Sequence, residues 1–252
     1  MKDLNAYWQD SLAGKKVLIT GGTTGIGREL AVLLTSFGAN CLICGRNQEQ
    51  IEETIAAAEE DQPSGTCAGV ALDLSTEDGI SHLFDVLDQE LGQLDILVNN
   101  AALAFGAVTE GSYQELSYIV QTNLTAYLAC SREAIKRMET TGKGHIVNIG
   151  SMSADVREQG SSVYVATKGG IQAFSEALRK EVNEKQIKVT LIEPGAVDTD
   201  MQDGTAEENA EQIKNQEMLP ASDIAMAVSF CLIQHERCDI VELRIRPHLQ
   251  MI

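Results

Sequence analysis

The chain has 252 residues and a net charge of −18, from 37 acidic and 19 basic side chains. This excess argues against nucleic-acid binding, because a polyanionic partner requires a basic protein face. High solubility explains the acidity, and adaptation to a salt-tolerant host is the alternative interpretation. The first eleven residues are polar, unlike a secretory signal, and no run approaches the ~18 apolar residues of a membrane span. We therefore expect a cytoplasmic protein that does not bind a membrane.

Short apolar runs alternate with helical patterns along the chain. The strand-like runs cover residues 16–20, 41–44, a segment ending at 70–72, 96–98, 145–149, 188–192 and 240–245. The helical patterns cover residues 25–37, 48–60, 76–91, 113–140, 163–183 and 220–233. Alternation of this kind predicts an α/β fold, a doubly wound parallel sheet (Rossmann fold) of about seven strands with helices on both faces. We expect a single domain over residues 1–252.

Cys41 and Cys44 form a C-x-x-C pair inside the second apolar run. Redox and zinc pairs of this type usually lie at a turn or a helix start. A strand position instead predicts two buried, small hydrophobic side chains. The four histidines show no metal-ligand spacing, so we expect no metal site.

One polar segment, residues 201–217, interrupts the alternation and lacks apolar periodicity. It follows the carboxyl end of a predicted strand, where α/β sheets bind their ligands. We interpret the region at about 201–219 as a lid that is mobile without ligand. A solvated loop without a function is the alternative interpretation.

A glycine-rich loop joins the first predicted strand to the first helix, with the sequence Thr20-Gly21-Gly22-Thr23-Thr24-Gly25-Ile26-Gly27. Glycines allow a tight turn and let backbone N–H groups approach a pyrophosphate closely. The amino end of the helix adds free donors and a partial positive charge. In this context the loop predicts dinucleotide binding.

The end of the second strand indicates which dinucleotide is bound. Folds that prefer NAD place an acid about 20 residues after the loop, to bind the ribose hydroxyls. Here Arg46 follows Gly45 instead. A guanidinium suits the 2′-phosphate of NADP(H), so we expect that cofactor. A solvated surface arginine is the alternative.

Ser151, Tyr164 and Lys168 form a second cluster. Tyr164 and Lys168 are four positions apart in a predicted helix, so their side chains share one face. A nearby ammonium lowers the pKa of a tyrosine from its free value of ~10. We therefore expect Tyr164 to act as an acid/base near neutral pH. Ser151 follows the carboxyl end of a predicted strand.

Five ordered motifs resemble the short-chain dehydrogenase/reductase superfamily. They are the glycine loop, Asn99-Asn100-Ala101-Ala102, Asn123, Ser151 with Tyr164 and Lys168, and Pro194-Gly195 followed by Thr199. The resemblance implies NADP-dependent hydride transfer between the nicotinamide and a carbonyl or secondary alcohol of a small-molecule substrate. It also implies a homo-oligomer, a tetramer or dimer, with helices 113–140 and 163–183 at one interface. The family usually has glycine in place of Ala102. The chain also lacks a glycine-rich last strand, which resembles members acting on small hydroxy acids, so a 3-hydroxy acid is one candidate substrate.

The resemblance also implies roles for individual residues. Asn123 would hold a water and Ser151 would polarise the substrate oxygen, with Tyr164 and Lys168 completing the catalytic set. The expected cofactor-binding residues are Thr20, Gly21, Thr23, Thr24, Gly25, Ile26, Gly27, Arg46, Asp73, Leu74, Asn99, Ala101, Tyr164, Lys168, Pro194, Gly195, Val197 and Thr199. Within this set, Thr20 would fix the turn of the glycine loop, and Asn99 would steady the sheet beside the cofactor. Asp73 would bond the adenine amino group, and Val197 and Thr199 would bind the carboxamide.

The substrate wall is expected from residues 103–105, 152–159, Ala196 and the lid. Arg157 is a candidate clamp for a substrate carboxylate, with a solvated loop arginine as the alternative. Two non-catalytic functions compete with the enzyme hypothesis. One is a cofactor-sensing protein without turnover, because fold does not fix function. The other is a structural subunit, which the intact glycine loop disfavours.

Overall fold

A computed structural model describes residue 8, residues 10–202 and residues 204–250 of the chain. The other residues of the predicted domain, 1–7, 9, 203, 251 and 252, lie outside the described part. The strands are β1 (Lys16–Thr20), β2 (Asn40–Gly45), β3 (Thr66–Ala71), β4 (Ile96–Asn99), β5 (Gly144–Ile149), β6 (Ile187–Pro194) and β7 (Glu242–Ile245). All seven pair in parallel, in the order β3-β2-β1-β4-β5-β6-β7. The predicted fold class is therefore confirmed.

Helices cover both faces of this sheet. They are α1 (Gly25–Ser36), α2 (Gln48–Glu59), α3 (Glu77–Glu90), α4 (Tyr113–Val120), α5 (Ala126–Thr141), α6 (Ser153–Val156), α7 (Ser162–Val182), α8 (Ala206–Lys214) and α9 (Ala221–Leu232). On one face, α1 and α9 bury Leu34 and Val228 against Ile19. On the other, α3 and α5 pack against Leu18, the next residue along β1. This alternation explains why the buried strands read as continuous apolar runs.

The sheet also positions the functional site. Chain order reverses direction between β1 and β4, which are neighbours in the sheet. At such a switch point, the loops leaving the carboxyl ends of the two strands diverge and open a crevice. The glycine loop leaves β1 at this point, and the Asn99–Ala102 motif begins at the end of β4.

The helix predicted over residues 113–140 is interrupted. A π-helical turn at Gln121–Thr125 separates α4 from α5. Such turns insert one residue into the helical ladder and are frequent at functional sites. Asn123 lies inside this turn and is fully buried.

The polar segment after β6 contains a helix that its sequence pattern does not predict. Thr205 and Glu208 form a reciprocal capping box at the start of α8. Asn209 is the buried residue of this helix, and its amide donates to Asp198 at 2.8 Å. Neither the lid interpretation nor the solvated-loop alternative predicted this helix, because capping and one polar anchor stabilise it in place of an apolar stripe.

The C-x-x-C pair is buried, as predicted. Cys41 packs on the α1 and α9 side of the sheet, and Cys44 packs on the opposite side. Side chains alternate between the faces of a strand, so positions three apart point in opposite directions. Burial raises the pKa of each thiol to about 12.

Across the described residues, no helix has the length and apolar character needed to span a membrane. Nor do these residues bring together three or more His, Cys, Asp or Glu side chains in a metal-binding group.

Candidate active site

A cavity of about 920 Å³ opens at the carboxyl ends of the strands. Fifteen of the expected cofactor-binding residues line it: Gly21, Thr23, Thr24, Gly25, Ile26, Arg46, Asp73, Leu74, Ala101, Tyr164, Lys168, Pro194, Gly195, Val197 and Thr199. Ser151 lines it as well, so the glycine loop and the Ser-Tyr-Lys cluster share one cavity. Thr20, Gly27, Asn99 and Asn123 are not among its lining residues and lie behind the wall.

The glycine loop forms a cradle at the amino end of α1. Gly25 has a φ of +51°, and a Cβ there would lie 2.8 Å from the Thr199 side chain. A Cβ on Gly27 would overlap the Gly21 carbonyl, so a larger residue would push the helix off the loop. Thr24 caps the helix without a side-chain hydrogen bond. The first backbone N–H groups of α1 therefore remain available to an anion, as a dinucleotide pyrophosphate requires.

Thr20 and Asn100 hold this loop against β4. The Thr20 hydroxyl accepts hydrogen bonds from the backbone N–H groups of Asn100 and Ala101 at 3.0 and 3.2 Å. The Asn100 amide donates to the Thr20 and Gly21 carbonyls at 3.1 and 2.8 Å. These bonds fix the turn, which is the role expected of Thr20.

Asn99 links three elements behind the cavity. Its amide nitrogen donates to Ser131 on α5 at 3.0 Å and to Asn148 on β5 at 2.9 Å. All three side chains are buried. A buried polar network of this kind fixes one arrangement of its elements, in line with the expectation that Asn99 steadies the sheet.

Arg46, Asp73 and Tyr118 meet at the far end of the cavity from the Ser-Tyr-Lys cluster. Arg46 Nη1 donates to the Tyr118 hydroxyl at 3.1 Å, and that hydroxyl donates to Asp73 Oδ2 at 3.2 Å. Burial alone would raise the pKa of Asp73, but hydrogen bonds from Ser75 and Tyr118 and the charge of Arg46 lower it on balance. One cation and one carboxylate therefore face the same end of the cavity.

Lys168 is buried beneath the catalytic cluster. Its Nζ donates to the Ile149 carbonyl at 2.9 Å and lies 5.6 Å from the centre of the Tyr164 ring. The Tyr127 ring is also close, at 5.8 Å. Burial lowers the pKa of Lys168 to about 7. The ammonium and the neutral amine of Lys168 are therefore about equally favoured at neutral pH in this structure.

The pKa of the Tyr164 hydroxyl is shifted in the direction opposite to the expected one. Burial raises its pKa, the Ser151 hydroxyl opposes this rise, and the Glu158 carboxylate adds to it. The expectation that Lys168 lowers the pKa of Tyr164 is wrong for this structure. The reason is that Lys168 is buried and Tyr164 is half-buried, so desolvation disfavours the charged form of each.

The side-chain amide of Asn123 forms two hydrogen bonds with the backbone of Leu103. Its Oδ1 accepts from Leu103 N and its Nδ2 donates to Leu103 O, each at 2.8 Å. The π-helical turn thus fixes the loop after β4, which carries the expected substrate wall at residues 103–105.

The opposite end of the cavity, beyond Tyr164, differs in charge from the Arg46 end. Its lining residues are Leu103, Ala104, Phe105, Met152, Ser153, Glu158, Ser161, Ala196, Asp200, Met201, Gln202 and Gln250. Glu158 accepts from the Ser153 hydroxyl at 3.2 Å. Arg157, the candidate carboxylate clamp, is absent from the described lining, and its Nε donates to the Ala154 carbonyl.

The sequence patterns missed three polar residues of the site. Asn100 belongs to the Asn99–Ala102 motif, which predicted no role for it. Nothing in the sequence around Tyr118 marked it as a site residue beyond its position in a predicted helix. Gln250 lies far along the chain, yet its Oε1 accepts from Ala196 N at 3.0 Å. Leu249 N in turn donates to the Gln216 carbonyl at 2.9 Å, which joins the chain's last described residues to the segment after α8.

Several known proteins resemble this chain in sequence and in fold. The model of the family described as short chain dehydrogenase matches residues 15–210. An uncharacterized oxidoreductase of Staphylococcus aureus is 30% identical over 237 residues, covering 94% of this chain and 98% of its own. An NADP-dependent 3-hydroxy acid dehydrogenase of Schizosaccharomyces pombe is 30% identical over 245 residues and 95% of each chain. The crystal structure of a short chain dehydrogenase from Burkholderia cenocepacia in complex with NADP has a TM-score of 0.82 at 27% identity, covering 94% of this chain and 98% of that one.

The chain therefore belongs to the short-chain dehydrogenase family of oxidoreductases. The predicted family is confirmed over nearly the whole chain.

Proposed function

We propose that this protein is an NADP(H)-dependent enzyme that reduces a carbonyl to a secondary alcohol, or catalyses the reverse. The observation that carries the proposal is that Ser151, Tyr164 and Lys168 line the same cavity as the glycine cradle. When bound, NADPH supplies the hydride. The NADP complex of the Burkholderia cenocepacia relative supports this cofactor.

In this mechanism Tyr164 donates the proton that the substrate oxygen gains. Its raised pKa keeps the hydroxyl protonated at neutral pH, which suits an acid. Ser151 donates a hydrogen bond to the same oxygen and stabilises its developing charge. Lys168 would bond the nicotinamide ribose from beneath, and a polar ligand there would favour its ammonium form. That ammonium would then ease proton loss from Tyr164.

The proposed cofactor choice depends on Arg46, so Arg46→Ala is expected to erase most of the preference for NADPH over NADH. A hydrogen bond to a charged group stabilises by roughly 1.5–3 kcal/mol in general, or at least about tenfold in affinity. Arg46 is exposed, so the lower end applies, and added salt should narrow the gap in the wild type.

The measurement is kcat/KM for both cofactors. Arg237→Ala is the matched control, because Arg237 is also exposed but does not line the cavity. A variant at Arg46 with undiminished NADPH selectivity would show that the 2′-phosphate is bound elsewhere.

The charges around the substrate end bear on the substrate class. The Schizosaccharomyces pombe relative supports a 3-hydroxy acid. However, Glu158 and Asp200 line this end, and Arg157 does not. Like charges repel, and the repulsion grows as water is excluded. We therefore propose a carbonyl substrate without a carboxylate beside the reacting carbon.

A matched pair of ketones tests the function and the substrate class together. Methyl 3-oxobutanoate is expected to show a severalfold higher kcat/KM than 3-oxobutanoate at low salt, followed by NADPH absorbance. The difference should shrink as ionic strength rises. A preference for the acid would contradict the proposed substrate class. NADPH binding without turnover of either ketone, of diketones or of quinones would instead favour a cofactor-sensing protein.

Further properties of the enzyme are part of the same proposal. We propose a cytoplasmic homo-oligomer, with α4 and α5 at one interface. Val120 and Leu128 on these helices are 42% and 43% exposed, and an interface there would bury both side chains. The segment at about 201–219 would act as a lid, because Met201 and Gln202 line the cavity directly.

A further inference from the structure

Tyr118 stands between two charged groups at the Arg46 end of the cavity. A phenol hydroxyl has one proton to donate and lone pairs with which to accept. Tyr118 uses both capacities, since it accepts from Arg46 Nη1 and donates to Asp73 Oδ2. The sequence separations are 72 and 45 residues, so the contact joins α4 to the ends of β2 and β3.

The arrangement leaves Arg46 free to bind a phosphate. A guanidinium has five N–H donors, and Tyr118 occupies one of the two on Nη1. The remaining donors can still form the paired contact that a phosphate favours. The hydroxyl also fixes a long side chain that is otherwise exposed, and so reduces the entropy lost when the phosphate binds.

The same hydroxyl separates Arg46 from Asp73. Without it, the guanidinium could move onto the carboxylate and form a direct ion pair. Such a pair would reduce the positive potential offered to a phosphate and would occupy the donors that should bind it. Alternatively, Arg46 would extend into solvent and lose its orientation.

We propose that Tyr118 is a specificity-determining residue, which orients Arg46 for the 2′-phosphate of NADP(H) and keeps it apart from Asp73. This inference rests on the proposed function, because it requires that Arg46 bind the 2′-phosphate. Tyr118 is a positioning residue and acts through Arg46. Loss of its hydroxyl should therefore weaken NADPH binding more than NADH binding.

The test is direct cofactor binding to the purified protein without substrate. Tyr118→Phe is expected to raise the Kd of NADPH, measured by nicotinamide fluorescence, about three- to tenfold relative to NADH. Tyr113→Phe is the matched control, because it removes the same hydroxyl from the same helix at an 81% exposed position outside the cavity lining. In an Arg46→Ala background, Tyr118→Phe should cause no further loss of selectivity.

Three results would overturn the inference, and one would overturn its basis. Equal weakening of both cofactors would indicate an adenine contact through Asp73. Tighter binding of both would show that the hydroxyl competes with the cofactor. Unchanged Kd values for both cofactors would remove any role for Tyr118 in cofactor binding. If the wild type itself binds NADPH and NADH equally, the proposed cofactor choice fails, and the inference fails with it for that separate reason.

Discussion

Replacing Tyr164 with phenylalanine is expected to lower kcat by about 10²- to 10⁴-fold, the usual contribution of a positioned acid/base. The substitution removes one hydroxyl from a half-buried ring and leaves the ring itself in place. Cofactor affinity should therefore change little, because the glycine cradle and Arg46 are untouched. A split of this kind, with the rate lost and binding kept, is characteristic of a group that acts on the reacting atoms.

Single-turnover rates and NADPH fluorescence titrations on the same sample measure the two quantities. Tyr113→Phe again serves as the control for the loss of a phenol hydroxyl. Wild-type kcat in Tyr164→Phe would exclude the proposed acid. Loss of NADPH binding together with the rate would show that the variant has disturbed the cavity rather than the chemistry.

Lys168→Met is expected to abolish most turnover and yet to stabilise the protein without cofactor. Lys168 is buried, and its pKa in the folded chain is about 7, below its ordinary 10.5. The unfolded chain therefore binds this proton more tightly than the folded chain does. Folding stability should rise as pH increases from about 7 to 10.5, and the cost of the buried ammonium is fully present below pH 7.

Methionine removes that cost while keeping the volume of the side chain. A shift from 10.5 to about 7 corresponds to at most roughly 5 kcal/mol, and loss of the hydrogen bond to Ile149 offsets about 1 kcal/mol. The gain in the free energy of unfolding should be largest below pH 7 and should disappear near pH 10.5. Urea unfolding of the cofactor-free protein across this range measures it.

Lys180→Met is the control for this experiment. Lys180 is 61% exposed and pairs with Glu176 on the surface of α7, where such pairs contribute little. Its replacement should change stability by less than about 0.5 kcal/mol at every pH. If Lys168→Met is instead less stable than the wild type at pH 6, the buried ammonium is not a source of instability. The geometry around Ile149 would then have to be stabilising in itself.

Much of the fold could be predicted because the strands are buried on both faces. β1 matches its apolar run fully, and β5 and β6 extend theirs by one and three residues. β7 begins two residues later than predicted, and its side chains are exposed or half-buried, so hydrophobicity defines it poorly. The helix α8 was missed for a related reason, since capping stabilises it and one asparagine anchors it.

In the site, residues in local sequence patterns could be predicted, whereas residues placed by long-range contacts could not. The glycine loop and the Tyr164–Lys168 pair are local patterns, so spacing alone could identify them. Tyr118 and Gln250 reach the cavity through contacts with residues 45 or more positions away, and no local pattern marks such a contact. Burial around Lys168 and Tyr164 is equally invisible in the sequence. The predicted direction of the Tyr164 pKa was wrong for that reason.

Because strand order reverses between β1 and β4, the two ends of the cavity come mainly from different parts of the chain. The cradle and the Arg46 end are built mainly from residues before 103, whereas Ser151, Tyr164, Glu158 and Gln250 all come from the later part. Variation in a few later loops can therefore change which molecule reacts without altering how the dinucleotide is held. A mutant library aimed at new substrates can be confined to residues 103–105, 152–161, 196, 200–202 and 250, which leaves the expected cofactor contacts of Val197 and Thr199 intact.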